Sequence, residues 1–137
     1  MHFVVGGAFQ GKRKWVRGYY ELDKATSHRW CNGYEQDAFF PDEMKERIVV
    51  FEGLEALIRR LPDRVYWESF FQTWHEWEQE KDERCVIWIG CDITQGIVPI
   101  AKEERHWRDV TGWCYQQLSR RCDRVDRLWC GLAERMK

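Results

Sequence analysis

The sequence lacks the features that would place the chain in a membrane or outside the cell. No apolar run approaches the roughly 20 residues that a membrane-spanning helix needs. The chain also does not open with the apolar segment and small-residue cleavage site of a signal peptide. Nor is there an excess of basic charge, because the formal net charge is −1 with 33% charged residues. We therefore expect a cytoplasmic protein with no membrane span and no nucleic-acid partner bound through bulk charge.

The cysteines lack the spacing of a metal site. There are six of them, but no Cys-x-x-Cys pair occurs, and none of the four histidines lies at ligand spacing from a cysteine pair. An even count favours disulfides in secreted chains, and nothing here signals secretion. We therefore expect buried, reduced thiols that act as small apolar core residues.

The chain has the length of a single domain and is rich in aromatic residues. Its 137 residues fit one domain, residues 1–137, with no internal repeat or linker. Nine tryptophans mean that much of the buried apolar surface is aromatic.

A glycine-rich turn follows the first apolar run. It reads Gly6-Gly7-Ala8-Phe9-Gln10-Gly11-Lys12-Arg13. Gly6, Gly11 and Lys12 have the spacing of a phosphate-binding loop, in which backbone N–H groups and a lysine surround the phosphates of a nucleotide. Arg13, however, replaces the hydroxyl residue that would hold Mg²⁺. An ordinary glycine turn is the alternative, and a third possibility is that Arg13, Lys12 and Lys14 bind an anion with little need for metal.

Hydrophobic periodicity predicts the order of the elements along the chain. We predict strands over 2–5, 85–91 and 125–130, and residues 28–36 allow either a strand or a turn. We predict helices over 12–20, 41–61, from 63 through the aromatic stripe, and 102–121, with a loop over 94–100 and a tail over 132–137. This order predicts an α/β fold of the P-loop type, a three-layer domain with a small, mainly parallel sheet. Ligands of such sheets bind at the carboxyl ends of the strands, where Gly7–Lys12 and Asp92 would both lie.

Asp92 and an aromatic stripe each allow two interpretations. Asp92 ends the apolar run 85–91, so it could hold Mg²⁺ through water or simply cap a turn. The stripe is Tyr66 or Trp67, then Phe70, Phe71, Trp74 and Trp77. At helical spacing these side chains are typical of a core or of an oligomer contact rather than of a cofactor site.

Two segments in the second half follow a more specific pattern. Residues 91–99 read Cys-Asp-Ile-Thr-Gln-Gly-Ile-Val-Pro, and the later segment contains Trp107-Arg108-Asp109, Gly112, Gln116 and Leu118. With the glycine-rich loop, and with Asp42-Glu43-Met44 and Arg47-Ile48, they resemble the bifunctional adenosylcobinamide kinase and adenosylcobinamide-phosphate guanylyltransferase of cobalamin biosynthesis. The resemblance covers about two thirds of the chain, in pieces. It implies GTP or ATP as ligand, a corrinoid substrate and a homo-oligomer, for which the aromatic stripe is a candidate surface.

The chain also departs from that family. The histidine that carries GMP in the family corresponds to Phe51, which cannot form such an intermediate. The family's middle strand, with a glutamate that touches the nucleotide, has no counterpart between Pro62 and Arg84. With Arg13, these departures predict that guanylyl transfer is lost, and they count against kinase activity.

Three hypotheses follow. The first is a shortened kinase that binds a nucleoside triphosphate through Lys12 and the N–H groups of Phe9–Lys12, with Asp92 assisting the metal. The second is a non-catalytic descendant that binds nucleotide, corrinoid or a pathway partner, and the three departures favour it. The third is an unrelated α/β protein.

Overall fold

The computed structural model describes residues 1–24 and 27–137. Within them the strands are β1 His2–Gly6, β2 His28–Asn32, β3 Ile48–Glu52, β4 Cys85–Cys91, β5 Arg124–Trp129 and β6 Leu132–Arg135. The helices are α1 Lys12–Tyr19, α2 Leu54–Arg60, α3 Arg64–Gln79 and α4 Lys102–Arg121. In the described residues, no helix has both the length and the apolar character needed to cross a membrane.

The six strands form one sheet in the order β2-β3-β4-β1-β5-β6. Every neighbouring pair is parallel except β5–β6. β1 lies between β4 and β5, so Gly6 at its carboxyl end is level with Cys91 and Leu128. The predicted α/β class with a mainly parallel sheet is confirmed.

Alternating side chains of the sheet enter two separate clusters, so helices cover both faces. Phe3, Phe51 and Trp88 pack with α2, α3 and α4 on one face. Val4 and Ile87 pack with α1 on the other face. This two-sided burial explains why the central strands read as continuous apolar runs rather than alternating ones.

The aromatic stripe of α3 forms the centre of the larger cluster. Trp67, Phe70, Phe71, Trp74 and Trp77 are all buried within the chain, at 0–5% exposure. α3 begins after Asp63, whose carboxylate accepts hydrogen bonds from the N–H groups of Val65 and Tyr66 at 2.9 and 3.3 Å. The core interpretation of the stripe is therefore right. Its suggested use as an oligomer surface is wrong, because these side chains are not accessible to a partner.

The predicted helix over 41–61 is wrong in its first two thirds. Residues 41–47 are irregular, and Ile48–Glu52 form a strand between β2 and β4. Gly53 follows at φ 72°, and only Leu54–Arg60 is helical. Three- and four-residue apolar steps occur by chance in a run buried on both faces, so periodicity alone cannot separate such a strand from a helix. The β-branched Ile48, Val49 and Val50 favour the strand.

The predicted tail over 132–137 is also wrong, because Leu132–Arg135 form the strand β6. β5 turns back into β6 through Cys130 and Gly131, both at positive φ (50° and 77°). Two central residues at positive φ are typical of the tight turn that joins antiparallel strands. The cysteine prediction is confirmed in part: all six thiols are free, Cys31, Cys114 and Cys122 are buried, and Cys130 is exposed.

A buried polar cluster occupies the amino end of β1, at the opposite edge of the sheet from Gly6. His2 Nε2 lies 2.7 Å from Asp126 Oδ2, and its Nδ1 lies 2.5 Å from the Tyr20 hydroxyl. A carboxylate only accepts, so Nε2–H donates to Asp126 and the hydroxyl of Tyr20 donates to Nδ1. Burial lowers the pKa of His2, because the charged imidazolium loses its hydration.

Candidate functional site

A cleft of about 950 Å³ opens at the carboxyl ends of β1, β3 and β4. This is the edge at which parallel sheets with helices on both faces bind their ligands. The residues that line it are Ala8, Phe9, Gln10, Gly11, Lys12, Arg13, Lys14, Tyr34, Glu52, Gly53, Glu55, Ala56, Arg59, Ile89, Cys91, Ile93 and Trp107. The predicted loop therefore forms one wall of the cleft.

The loop holds its backbone N–H groups open. Phe9 and Gly11 have left-handed conformations, at φ 56° and 87°. The N–H groups of residues 11–14 have no hydrogen-bond acceptor in the described part of the chain. A left-handed conformation that a non-glycine residue adopts costs of order 1–3 kcal/mol and is typical of ligand sites. Successive unpaired N–H groups at the start of a helix form an anion-binding concavity.

Lys12 lies against the carbonyl groups of the same loop. Its Nζ donates to the carbonyl oxygens of Gly6 and Gly7 at 3.2 and 2.6 Å. These contacts hold the ammonium group beside the open N–H groups. A phosphate in the concavity would therefore meet a positive charge already in place.

Two contacts with the C-terminal hairpin fix the shape of the loop. At Gly6, a Cβ atom would lie 2.6 Å from the Leu128 carbonyl oxygen, so only glycine fits this close approach. The side chain of Gln10 accepts from the N–H of Cys130, and its carbonyl accepts from the N–H of Gly131 at 3.0 Å. The turn between β5 and β6 is therefore the support of the loop.

Arg13 makes a two-pronged ion pair with Glu52 at the end of β3. Its Nε lies 3.0 Å from both carboxylate oxygens, and its Nη2 lies 2.6 Å from Oε2. The indole N–H of Trp30 donates to the same Oε2 at 2.9 Å. Hydrogen bonding to Glu52 raises the pKa of Arg13, so this guanidinium stays charged. Glu52 is only 12% exposed and Arg13 is 50% exposed, so the acid is the fixed member of the pair.

The floor of the cleft is a buried carboxylate held by neutral donors. Glu55 Oε2 accepts from the N–H of Cys91 at 2.8 Å, and Oε1 accepts from the hydroxyl of Tyr34. Tyr115 donates to the Cys91 carbonyl at 2.6 Å. Burial raises the pKa of the Cys91 thiol, with Glu55 adding to the shift and Lys12 opposing it. Cys91 is thus a neutral wall residue, and not an activated nucleophile.

Asp92 directly follows β4, and its N–H donates to the carbonyl of Gly6 at 3.0 Å. Its Oδ1 accepts from the N–H and the hydroxyl of Thr94, at 3.0 and 2.8 Å. Its side chain lines a separate cavity with Phe3, Gly112 and Tyr115. The structure therefore shows the turn-capping geometry that was the alternative to a metal role.

The groups around the loop do not fit Mg²⁺. Mg²⁺ takes oxygen ligands in near-octahedral geometry. At position 13 the chain offers a cation, one carboxylate oxygen of Asp92 is used by Thr94, and the carboxylate of Glu52 is bound to Arg13. Among residues 1–24 and 27–137, no three or more His, Cys, Asp or Glu side chains are grouped to hold a metal.

Phe51, predicted at the position of the GMP-carrying histidine, does not face the cleft. It is fully buried in β3, stacked on Trp88 at 4.8 Å between ring centroids. The charged cleft residues that the sequence analysis missed are Glu52, Glu55 and Arg59. The signal that would have found them is the strand ending at Glu52, which the predicted helix concealed.

The two specific motif segments lie together beside the cleft. Arg108 donates to the carbonyls of Thr94, Gly96 and Ile97 and so holds the loop that precedes α4. The indole N–H of Trp107 donates to the carbonyl of Glu55 at 2.8 Å. Both segments therefore have a structural task in shaping the cleft.

No protein-family model matches the chain, and no curated protein matches it either. The family resemblance therefore stays a prediction that depends on the motifs themselves.

Proposed function

We propose that the chain binds a nucleoside triphosphate, GTP or ATP, with its phosphates in the concavity of the 7–14 loop. The observation that carries this proposal is the row of N–H groups of residues 11–14, unpaired within the described residues, beside the ammonium group of Lys12. Lys12, Arg13, Lys14 and Arg59 outnumber the two carboxylates that line the same cleft. The surplus of positive charge suits a polyanion.

The rest of the cleft suits a nucleoside. Ala56, Ile89, Ile93 and Trp107 give it an apolar part next to the loop. Its volume lies at the upper end of the roughly 300–1,000 Å³ typical of small-molecule sites. On this proposal the fold is of the P-loop type, with the phosphates at the amino end of α1 and the base toward Trp107.

We further propose that the chain is a divergent, non-catalytic descendant of the adenosylcobinamide kinase and guanylyltransferase family. No histidine is among the described residues that line the cleft, so none is placed to accept GMP. Phosphoryl transfer depends on a metal that neutralises charge, and at position 13 the chain has a cation where the metal-binding hydroxyl would be. On this proposal the chain binds a nucleotide without turnover. It also binds a corrinoid or a partner protein of the same pathway.

The test is calorimetric titration of the wild-type chain and of Lys12→Ala with GTP and with ATP. Removal of one charged donor to phosphate costs about 1.5–3 kcal/mol, so affinity should fall about 10- to 150-fold. Lys24→Ala is the matched control, because Lys24 is exposed and pairs with Glu21 outside the cleft. Equal affinity of Lys12→Ala and wild type, or no binding of either nucleotide, contradicts the proposal.

Incubation with adenosylcobinamide and labelled GTP or ATP decides between binder and enzyme. We expect no transfer of label to the corrinoid or to the protein. Labelled corrinoid would show a surviving kinase and overturn the non-catalytic part of the proposal.

A further inference from the structure

We infer that Arg13, held in place by Glu52, takes over the phosphate-facing role of Mg²⁺, so that this chain binds the triphosphate in its metal-free form. This inference rests on the proposed function and adds the ionic state of the ligand. It starts from the disagreement between the loop, which has the shape of a nucleotide site, and its surroundings, which do not fit the metal.

The positions of the two residues are the first argument. In phosphate loops the residue after the lysine supplies a hydroxyl to Mg²⁺, and a carboxylate at a strand end assists. Here the residue after Lys12 is Arg13, and the strand-end carboxylate that lines the same cleft is Glu52. The two side chains meet directly, at 2.6 and 3.0 Å. The guanidinium of Arg13 therefore occupies the space in which a metal would contact both the side chain at position 13 and the carboxylate of Glu52.

The second argument is that Glu52 is fixed by a neighbouring side chain, whereas Arg13 is accessible from the cleft. Trp30 fixes the Glu52 carboxylate at 2.9 Å, and the acid is largely buried. Arg13 is half-exposed on the cleft side, and only its Nε and Nη2 are used. Its remaining N–H groups are free to donate to a phosphate, whose oxygens match the planar guanidinium fork.

The third argument is repulsion. Mg²⁺ bound to the phosphates would lie close to the guanidinium of Arg13 and would be repelled by it. Arg13 cannot move away, because the carboxylate of Glu52 would then be left unpaired beside the phosphates. A metal-free triphosphate also carries more negative charge than its Mg²⁺ complex, and so gains more from Lys12, Arg13 and Lys14. Metal should therefore weaken binding, the reverse of the usual dependence.

The experiment is titration of the full chain with GTP and with ATP, once in EDTA and once with Mg²⁺ in large excess over nucleotide. We expect wild type to bind about tenfold more tightly in EDTA, the effect of one charge-assisted contact. Arg13→Ser restores the hydroxyl and frees Glu52, so it should reverse this order and bind more tightly with Mg²⁺. Circular dichroism and thermal unfolding check that the variant is folded.

Two further variants keep the test decisive. Arg17→Ser is the matched control, because Arg17 lies on the same helix and also packs over Trp30 but does not line the cleft. It should keep the wild-type preference for EDTA. Glu52→Gln removes the acid and leaves Arg13 free, so it too should bind without metal and at least as tightly as wild type. Wild-type binding that depends on Mg²⁺ and is lost in Glu52→Gln would instead identify Glu52 as a metal-assisting carboxylate and overturn the inference.

The outcomes separate the two proposals. Wild-type binding that requires Mg²⁺ overturns this inference and leaves nucleotide binding in place. Binding of neither nucleotide in either buffer overturns both.

Discussion

Replacement of Phe51 by histidine tests the placement of the residue that the family resemblance singled out. If residue 51 faced the cleft, Phe51→His would restore a nucleophile. In the structure its side chain is fully buried, stacked on Trp88 and edge-on to Phe70 and Trp74 at 5.6 and 5.1 Å. We therefore expect a destabilised protein that GTP does not label.

The size of the effect follows from the surroundings of the ring. Loss of good aromatic contacts costs about 0.5–1.5 kcal/mol, and an unsatisfied buried imidazole about 1–3 kcal/mol. Together they predict a loss of roughly 2–4 kcal/mol in the free energy of unfolding at neutral pH. Phe51→Leu keeps the site apolar, so it is the control and should cost about 1 kcal/mol.

The pH dependence makes the prediction sharper. A buried histidine titrates below its unfolded pKa of about 6.5, so the unfolded state binds more protons and stability falls with falling pH. Each unit below that value should cost Phe51→His about 1.4 kcal/mol more, and Phe51→Leu nothing extra relative to wild type. Urea unfolding followed by tryptophan fluorescence at about pH 7.5 and 5.5 measures this difference. A variant as stable as wild type, or one that GTP labels covalently, would refute the buried placement.

Three smaller predictions address the supports of the fold. Gly6→Ala should lose about 1–3 kcal/mol or more in urea unfolding, because its Cβ would meet the Leu128 carbonyl oxygen at 2.6 Å; a neutral effect would contradict that contact. Because burial lowers the pKa of His2, the unfolded state takes up a proton at higher pH than the folded state, and wild-type stability should fall as pH drops below about 6.5. His2→Gln should reduce this pH dependence of the unfolding free energy. An unchanged pH dependence would show that another group causes it. Asp63→Ala removes the cap of α3 and should cost about 1 kcal/mol of unfolding free energy, with Asp82→Ala as an exposed control of equal charge.

The sequence was enough to predict most of the elements, because local signals coincide with tertiary ones there. The helix 102–121 and the helix after Asp63 have apolar residues at helical spacing, and the run 85–91 is short and continuously apolar, which favours a buried strand. The loop before α1 was predictable because its glycines and lysine act locally.

The rest depends on contacts that no local pattern contains. β3 was mistaken for a helix because its burial on both faces comes from neighbours far along the chain. The Arg13–Glu52 pair was not predictable for the same reason, since it requires β3 to end beside α1. Asp92 shows the converse: its position at a strand end was right, and the direction of its side chain is set by Thr94.

The central position of β1 in the sheet has a consequence for folding during synthesis. Both neighbours of this first strand come from the second half of the sequence, since His2 pairs with Ile87 and Arg124. At roughly 5–20 residues per second, β1 leaves the ribosome seconds before either partner exists. Parallel pairings of such long range form slowly, so the nascent strand has to be shielded in the meantime. The glycine-rich loop obtains its supports later still, from Leu128 and Cys130. We therefore expect nucleotide binding to appear only after β5 and β6 have been synthesised, and a ribosome-bound chain that stops before β5 to bind chaperones instead.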